Sequence, residues 1–403
     1  MIAARRSPGG VFYRSPGGVR GRVAVEVIRG AFNYWVLALA LRADNSIYCG
    51  GAFTQYAGVS KSRAALLRRT GSLNTAFDAP ITSGLTVRTV RDIAVQGDGK
   101  IIYAGALNKH GTDFSRGIAR LNADGSLDST FDASDGFTIT GSFLASVASV
   151  GIQDDGKIVC GGSFDKYGAV DRNMIARLND DGSLDGGFTV GDGFLGSVGS
   201  VGIQDDGKIV CGGSFLEYDG DSLELIARLD DDGSLDGGFD TASGFTGTGA
   251  GVTTVAIQED QKVICGGRFS AYKGTARQHI ARLDTDASLD ASFDSATGFS
   301  ATAAIPLVHC VDIQADGKIV CGGSFGAYKG VARRNIARLN ADGSLDAGFD
   351  PGDGCNDQVF GIKVQPDGKV LCCGYFTEVD GVSRPYIARL NTDGTLDTSF
   401  YQQ

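Results

Sequence analysis

The sequence predicts an all-β protein, a seven-bladed β-propeller built from four-stranded antiparallel blades. Three observations lead to this prediction. One block of sequence recurs seven times, glycine accounts for 61 of the 403 residues, and no long stretch has the periodicity of an amphipathic helix. Glycine at this frequency is typical of chains with many tight turns. The aspartate of the first turn recurs every 51 to 57 residues, at Asp44, Asp98, Asp155, Asp206, Asp260, Asp316 and Asp367.

Each copy contains four short segments with strand character, as residues 201–236 illustrate. Residues 201–204 alternate apolar with small or polar side chains, which is typical of a half-buried strand. An Asp-Asp-Gly turn leads into the mostly apolar residues 208–213. Residues 226–229 form a third segment, and an Asp-Gly turn leads into a fourth at 234–236. The unit therefore reads as a four-stranded antiparallel sheet.

A ring is predicted because such a sheet has two apolar faces and needs a neighbour on each side. The first strand of each copy is expected to line the axis, since small residues alternate along it and fit where blades converge. The expected axial positions are Ala40, Ala94, Gly151, Gly202, Ala256 and Gly361, with Asp312 as the exception. The predicted domains are a basic arm over residues 1–36 and the propeller over residues 37–403. Residues 22–29 also alternate and could add a closing strand beside the last blade.

The charge distribution separates an arm from a body. The formal net charge is −10, which argues against a nucleic-acid-binding core. Residues 1–36 hold six arginines and one acid, a net +5, which leaves −15 for the remainder. A basic arm on an acidic body is typical of a tether to a protein partner, with an arm of no fixed structure as the alternative. The predicted docking residues are Arg5, Arg6, Arg14, Arg20 and Arg22.

The cysteines indicate the compartment in which the chain folds. Six occupy equivalent second-strand positions, and Cys310, Cys355 and Cys373 are additional. Equivalent positions on separate blades lie too far apart for disulfides, so we expect reduced, buried thiols and folding in a reducing cytosol. The first ten residues lack the apolar core of a signal peptide, and no run of about 18 apolar residues predicts a membrane span. The six equivalent cysteines are Cys49, Cys160, Cys211, Cys265, Cys321 and Cys372.

The repeated blocks xIQxDGKIVCGGSF and IARLNxDGSLDxxF resemble those of the Delta-60 repeat β-propellers of bacteria and their viruses. The resemblance covers about nine tenths of the chain and implies a seven-bladed propeller. It implies almost nothing about activity, since one fold hosts many functions. Copies one and two depart from the pattern, and in copy two Ala104 is taken to replace the repeated cysteine and Leu107 the phenylalanine.

Two sets of repeated residues are candidate binding groups. A glutamine ends the first strand in six copies, and these amides either bind a polar ligand at one mouth of the channel or hydrogen-bond between blades. Gln153, Gln204 and Gln314 are the predicted site residues of this set. The variable segments 132–146, 189–197, 240–252 and 294–309 each contain a Gly-Phe pair. Their phenylalanines either bind a partner or plug the space between blades, and they are Phe137, Phe194, Phe245 and Phe299.

Other chemistry is not predicted. The Asn-x-Asp-Gly-Ser-Leu-Asp turn resembles the end of a calcium loop, but an arginine stands where the first oxygen ligand belongs, which favours an Arg–Asp pair over a metal. No Cys-x-x-Cys motif provides a zinc site, and His110, His279 and His309 lie in different repeats. No Gly-x-Ser-x-Gly motif occurs, and Asp312 alone gives no acid–base pair. We therefore predict no catalytic residue, metal or cofactor.

The predicted function is that of a non-enzymatic structural or binding propeller. We expect a component of a phage virion, a tail or capsid appendage. Its arm would contact neighbouring virion proteins, and its inter-blade loops a host surface glycan or receptor. One alternative is an exported or cell-surface bacterial adhesion propeller. Another is an enzyme acting on polysaccharide through Asp312.

Overall fold

Seven β-sheets surround a central channel in the computed structural model, which describes residues 31–79, 89–107, 117–133, 136–141, 145–241, 243–295, 297–301 and 305–401. The first strand of every blade contacts the first strands of both neighbouring blades, and that of blade 7 contacts that of blade 1, so the ring is closed. The predicted β-propeller with seven repeats and axial first strands is confirmed. No helix occurs among the described residues.

Each blade has an inner, a middle and an outer strand in antiparallel order. The inner strands are Val36–Leu41, Thr89–Val95, Ser146–Ile152, Val198–Ile203, Gly251–Ile257, Leu307–Ile313 and Val359–Val364. The middle strands are Ile47–Gly51, Ile101–Ala106, Ile158–Ser163, Ile209–Gly213, Val263–Arg268, Ile319–Ser324 and Val370–Gly374. The outer strands are Ala64–Leu67, Ile118–Leu121, Ile175–Leu178, Ile226–Leu229, Ile280–Leu283, Ile336–Leu339 and Ile387–Leu390.

The predicted fourth strand is reduced to a single bridging residue. In blade 4 only Leu235 pairs with the outer strand, through Leu229. The next residue, Asp236, accepts a hydrogen bond from the Gly238 amide at 2.8 Å and turns the chain. A side chain that bonds the backbone two residues ahead competes with a strand ladder. The sheets are therefore three-stranded, with one extra bridge each.

Short hairpins lie at the rim of the ring, between the middle and outer strands of six blades. Their strand pairs are Gln55–Tyr56 with Val59–Ser60, Lys166–Tyr167 with Val170–Asp171, Glu217–Tyr218 with Asp221–Ser222, Ala271–Tyr272 with Thr275–Ala276, Ala327–Tyr328 with Val331–Ala332, and Glu378–Val379 with Val382–Ser383. A further two-residue strand joins three of them, namely Phe137–Thr138, Phe245–Thr246 and Phe299–Ser300.

The Cys-Gly-Gly sequence of the middle strands is explained by close packing. A Cβ on Gly212 would lie 2.6 Å from Cγ1 of Val252 in the next blade. One on Gly213 would lie 2.1 Å from the carbonyl oxygen of Ser197, the residue before the inner strand of its own blade. The buried apolar clusters likewise combine residues of adjacent blades. The core therefore lies between blades, as the ring prediction requires.

Two positions differ from the alignment that the sequence suggested. The residue equivalent to Gly202 in blade 7 is Lys363, because it pairs with Leu371 as Gly202 pairs with Val210. Gly361 lies two residues earlier, so Asp312 is not the single exception among the axial residues. In blade 2, Tyr103 occupies the cysteine position, and Ala104 replaces the first glycine.

The ring closes by side-by-side contact of blades 7 and 1. Phe400 packs in one cluster with Val36 and Leu39, and the Tyr401 amide donates to the Thr70 carbonyl at 3.0 Å. The proposed closing strand at 22–29 and the docking arginines lie outside the described residues. Residues 31–35, assigned to the arm, pack on blade 1 through Phe32, which pairs with Tyr56.

Candidate functional site

The glutamines connect neighbouring blades at the ends of the inner strands. Nε2 of Gln153 donates to the Gly207 carbonyl and to the Asp231 carboxylate of the next blade, both at 2.9 Å. Its Oε1 accepts from Arg177 at 3.1 Å. Nε2 of Gln204 also reaches the next blade, where it donates to a backbone carbonyl at 3.0 Å. Inter-blade hydrogen bonding, one of the two alternatives, is thus observed at both. The amide oxygen is buried without a partner among the described residues in Gln258, Gln314 and Gln365.

The Arg–Asp pair predicted in place of calcium is present in blades 2 to 7. In blade 4, Nε of Arg228 donates to Asp236 at 2.6 Å. Nη1 donates to the Thr285 carbonyl of the next blade at 2.6 Å, and the guanidinium lies over the Phe239 ring at 4.6 Å. Burial raises the pKa of Asp236, but hydrogen bonds from Gly238, Arg228 and Lys208 outweigh it and hold that pKa below its usual value. We call this arrangement the inter-blade latch; its arginines are Arg120, Arg177, Arg228, Arg282, Arg338 and Arg389.

The four predicted phenylalanines are buried in apolar clusters that combine residues of two adjacent blades. Each is at most 2% exposed and packs on a second phenylalanine, with ring centroids 4.3 to 4.4 Å apart. A tyrosine ring lies 4.5 to 5.0 Å away on the rim hairpin. This burial matches the second of the two interpretations, a plug between blades, for Phe137, Phe194, Phe245 and Phe299.

The six equivalent cysteines are free thiols and are fully buried, as predicted. Burial raises the pKa well above the usual thiol value in five of them, Cys49, Cys160, Cys211, Cys265 and Cys321. His279 is also buried, with Nδ1 3.2 Å from the Gly267 carbonyl oxygen. His110 lies outside the described residues.

A cavity of about 490 Å³ lies at the opposite mouth of the channel from the glutamines, where the inner strands begin. It is lined by residues of all seven blades, and no acid is among them. The lining residues are Trp35, Leu37, Thr89, Arg91, Ala148, Ser197, Gly199, Gly213, Ser214, Gly251, Val252, Thr253, His309, Phe360 and Tyr375.

Seven of these residues occupy one structural position, a β-bulge in each inner strand. The register to the middle strand shifts by one residue immediately after a fully buried valine in every blade, as at Val198 and Ser200. A bulge commonly redirects a side chain next to a functional site. The bulged residues differ in all seven blades, and we call them the bulge ring: Leu37, Arg91, Ala148, Gly199, Thr253, His309 and Phe360.

One side of the cavity is aromatic. Centroids along the arc Tyr34, Trp35, Tyr375, Phe360 and His309 are 4.3, 4.0, 4.5 and 4.2 Å apart. Nε2 of His309 lies 3.1 Å from Oε1 of Gln358. Burial raises the pKa of Tyr375, while the charge of Arg91 lowers it, which places that cation near the arc. The other side of the cavity is formed by small residues of blades 3 to 5.

Charged groups lie inside the channel, beyond the cavity. Nζ of Lys363 lies 3.7 Å from Oδ1 of Asp312, and Oδ2 of Asp312 accepts from the Val364 amide at 2.7 Å. The Asp92 carboxylate accepts from the Val150 amide of the next blade at 2.8 Å. Burial raises the pKa of Asp92. Asp312 is therefore paired with a cation, and Asp92 is a second channel carboxylate that the sequence alignment did not identify.

The sequence pattern of a family described as "Domain of unknown function (DUF5122) beta-propeller" matches the chain seven times. The matches cover residues 42–77, 96–131, 153–188, 204–239, 258–293, 314–349 and 365–400. The chain belongs to this β-propeller family. No curated protein sequence matches it.

This DUF5122 propeller is similar to several solved structures. The WD40 β-propeller domain of Doa1 is 12% identical, with a TM-score of 0.55 over 85% of this chain and 90% of that one. Virginiamycin B lyase from Staphylococcus aureus is 10% identical, with a TM-score of 0.47 over 84% and 92%. A gluconolactonase from Xanthomonas campestris is 13% identical, with a TM-score of 0.38 over 86% and 85%.

Two features are absent from the described part of this DUF5122 propeller. Within those residues no helix has the length and apolarity needed to cross a bilayer. The same residues contain no group of three or more histidine, cysteine or acidic side chains placed to hold a metal ion.

Proposed function

We propose that this propeller is a non-enzymatic binding protein, that its ligand site is the cavity lined by the bulge ring, and that the ligand is a saccharide. The main support is the contrast between two neighbouring positions. The buried valine is the same in all seven blades, whereas the next residue is different in every blade. A residue that only stabilises the blade would be the same in every copy of the repeat. Seven different side chains around one cavity therefore favour a role in ligand recognition.

The chemistry of the cavity fits a small polar ligand. Its volume lies within the roughly 300–1,000 Å³ typical of ligand pockets. The hydroxyl of Ser214 and the backbone of Gly199 and Gly251 offer hydrogen-bonding groups, and the glycines allow a close approach. The aromatic arc supplies rigid contact area at low entropic cost. Rings combined with hydroxyl and backbone groups suit a sugar.

The proposal also includes the repeat family, the partner of the arm and the location of the protein. We infer from the repeated blocks that the chain is a Delta-60 repeat propeller, and from the basic arm that it docks on an acidic protein surface. Both properties suit a virion component that presents its channel mouth to a host surface glycan. Mass spectrometry of purified phage particles should detect the chain, and its absence from them would contradict the virion assignment.

Binding can be followed at the site itself, because Trp35 is the single tryptophan of the chain and lines the cavity. We expect at least one of cellobiose, lactose and digalacturonate to change its fluorescence saturably. Phe360→Ala should abolish the change, whereas Val170→Ala, on an exposed rim hairpin, should preserve it. No saturable change with any of the three, or equal loss in both variants, would contradict the proposed site.

The same proposal excludes catalysis. Each of these disaccharides already has one reducing end, so incubation with the protein should not increase the concentration of reducing ends. An increase that is lost in Asp312→Asn would contradict the proposal and favour a polysaccharide-acting enzyme.

A further inference from the structure

The bulge ring has one charged member, Arg91. Its side chain is exposed at the cavity, and within the described part of the chain no acid lies within ion-pair distance of it. Elsewhere, the six latch arginines are each paired with an aspartate. In a protein of net charge −10, a cation without an acidic partner at a ligand cavity has a free charge to offer an anion.

The aromatic arc adds to this positive character. Trp35 has a ring neighbour on each side, Tyr34 at 4.3 Å and Tyr375 at 4.0 Å, both stacked. Tyr375 and Phe360 likewise each contact two rings of the arc. Trp35, stacked on both sides, leaves its edge rather than a face for a ligand, and the edge of an aromatic ring is its electropositive part. Such an edge favours oxygen atoms.

No acid among the lining residues offsets these groups. His309 adds no fixed charge near neutral pH, because burial lowers its pKa. Further along the channel lie Asp92, held by a backbone amide of the next blade, and the paired Lys363 and Asp312. Asp357, whose charge raises the pKa of Tyr375, lies near the arc but does not line the cavity. The lining thus has a cation, an electropositive ring edge and a hydroxyl, but no negative group.

We propose that the cavity binds a carboxylated saccharide, with Arg91 receiving the carboxylate and the aromatic arc and small residues receiving the sugar ring. This inference rests on the proposed function and gives the ligand its chemical class. A planar guanidinium can donate two parallel hydrogen bonds to a carboxylate, which a neutral sugar cannot accept in the same way.

The test compares digalacturonate with its methyl ester, which keeps the sugar rings and removes the charge. Trp35 fluorescence should show digalacturonate binding roughly tenfold or more tightly than the ester, as expected for a charge-assisted hydrogen bond. Arg91→Gln should remove that preference, and Arg91→Lys should retain part of it. Arg42→Gln, at the opposite mouth, is the matched control and should change nothing. Raising the salt concentration should weaken binding of the acid and leave the ester unaffected.

The outcomes separate the two proposals. Equal affinity for acid and ester, or a preference that survives Arg91→Gln, overturns the carboxylate inference and leaves the saccharide site standing. Binding of benzoate without binding of digalacturonate overturns the saccharide part. Absence of any saturable response contradicts the proposed function itself.

Discussion

Removing one arginine of the inter-blade latch should destabilise the protein by about 3 kcal/mol. In Arg228→Leu, the Asp236 carboxylate loses its 2.6 Å hydrogen bond and the next blade loses the donor to its Thr285 carbonyl. Breaking a buried ion pair by removing one partner costs about 3–5 kcal/mol. We expect the lower end, because Lys208 remains 3.1 Å from Asp236.

The chain contains its own control for this experiment. In blade 1, Leu66 and Asn74 occupy the arginine and aspartate positions. Asn74 keeps the turn, because its Oδ1 accepts from the Ala76 amide at 3.1 Å. The double variant Arg228→Leu/Asp236→Asn copies this solution into blade 4 and leaves no unpaired buried charge. It should therefore lie within about 1 kcal/mol of the parent, since a buried pair is often replaced at little cost by apolar residues.

The assay is urea unfolding followed by far-UV circular dichroism and by Trp35 fluorescence, with the free energy of unfolding obtained by linear extrapolation. Coincident transitions would justify the two-state treatment. The reasoning is refuted if the single variant loses less than about 1 kcal/mol, or if the double variant is as unstable as the single one.

Three further outcomes are expected. Gly212→Ala should lower the free energy of unfolding by roughly 1–3 kcal/mol through overpacking, because the added Cβ would lie 2.6 Å from Val252. Gly186→Ala, with no atom within 4 Å of the added Cβ, should be neutral in the same urea assay. Equal effects of the two variants would contradict the packing argument. Stability should fall as the pH drops below about 4, the unfolded aspartate pKa. The latch aspartates have lowered pKa values in the folded chain, so the unfolded chain binds more protons there; constant stability from pH 5 to 2.5 would refute this. Ellman's reagent should not react with Cys211 or its equivalents before unfolding, because all six are fully buried, and burial also raises the pKa of Cys211. Rapid reaction of the native protein would contradict this.

The sequence was sufficient to predict the architecture, because the strands and turns of a blade recur in seven copies of the repeat. It is insufficient for the register of blade 7 for a physical reason. Side chains alternate with a period of two, so a shift of two residues keeps the pattern, and the pattern does not distinguish Gly361 from the axial residue, Lys363. In blade 2 the error is one residue, because Tyr103 replaces the cysteine that marks the position and the small Ala104 follows it. The fourth strand was overpredicted, because the pattern does not show that Asp236 bonds the backbone and ends the pairing after Leu235.

The candidate site was missed for a different reason. Residues that recur, such as Gln153 and Phe194, attract attention in the sequence, but they form the framework of the ring. The bulge ring is visible in the sequence only as the position that does not recur, after a valine that does. That its residues face one cavity depends on the β-bulge, which has no sequence signature of its own here. Arg91 and His309 could have been identified by asking which position varies most among the copies.

The contacts between blades 7 and 1 are of the same kind as those elsewhere in the ring. Arg389 donates to the Arg69 carbonyl across that boundary as Arg228 does to Thr285. No covalent link crosses the boundary between blades 7 and 1. The ring therefore does not require a continuous peptide chain at any one boundary between blades. A circular permutant can test this. Its gene would join residues 401 and 31 through a short linker and open the chain in the loop between two other blades. The protein should fold to the same ring, with its termini at a new place on the rim.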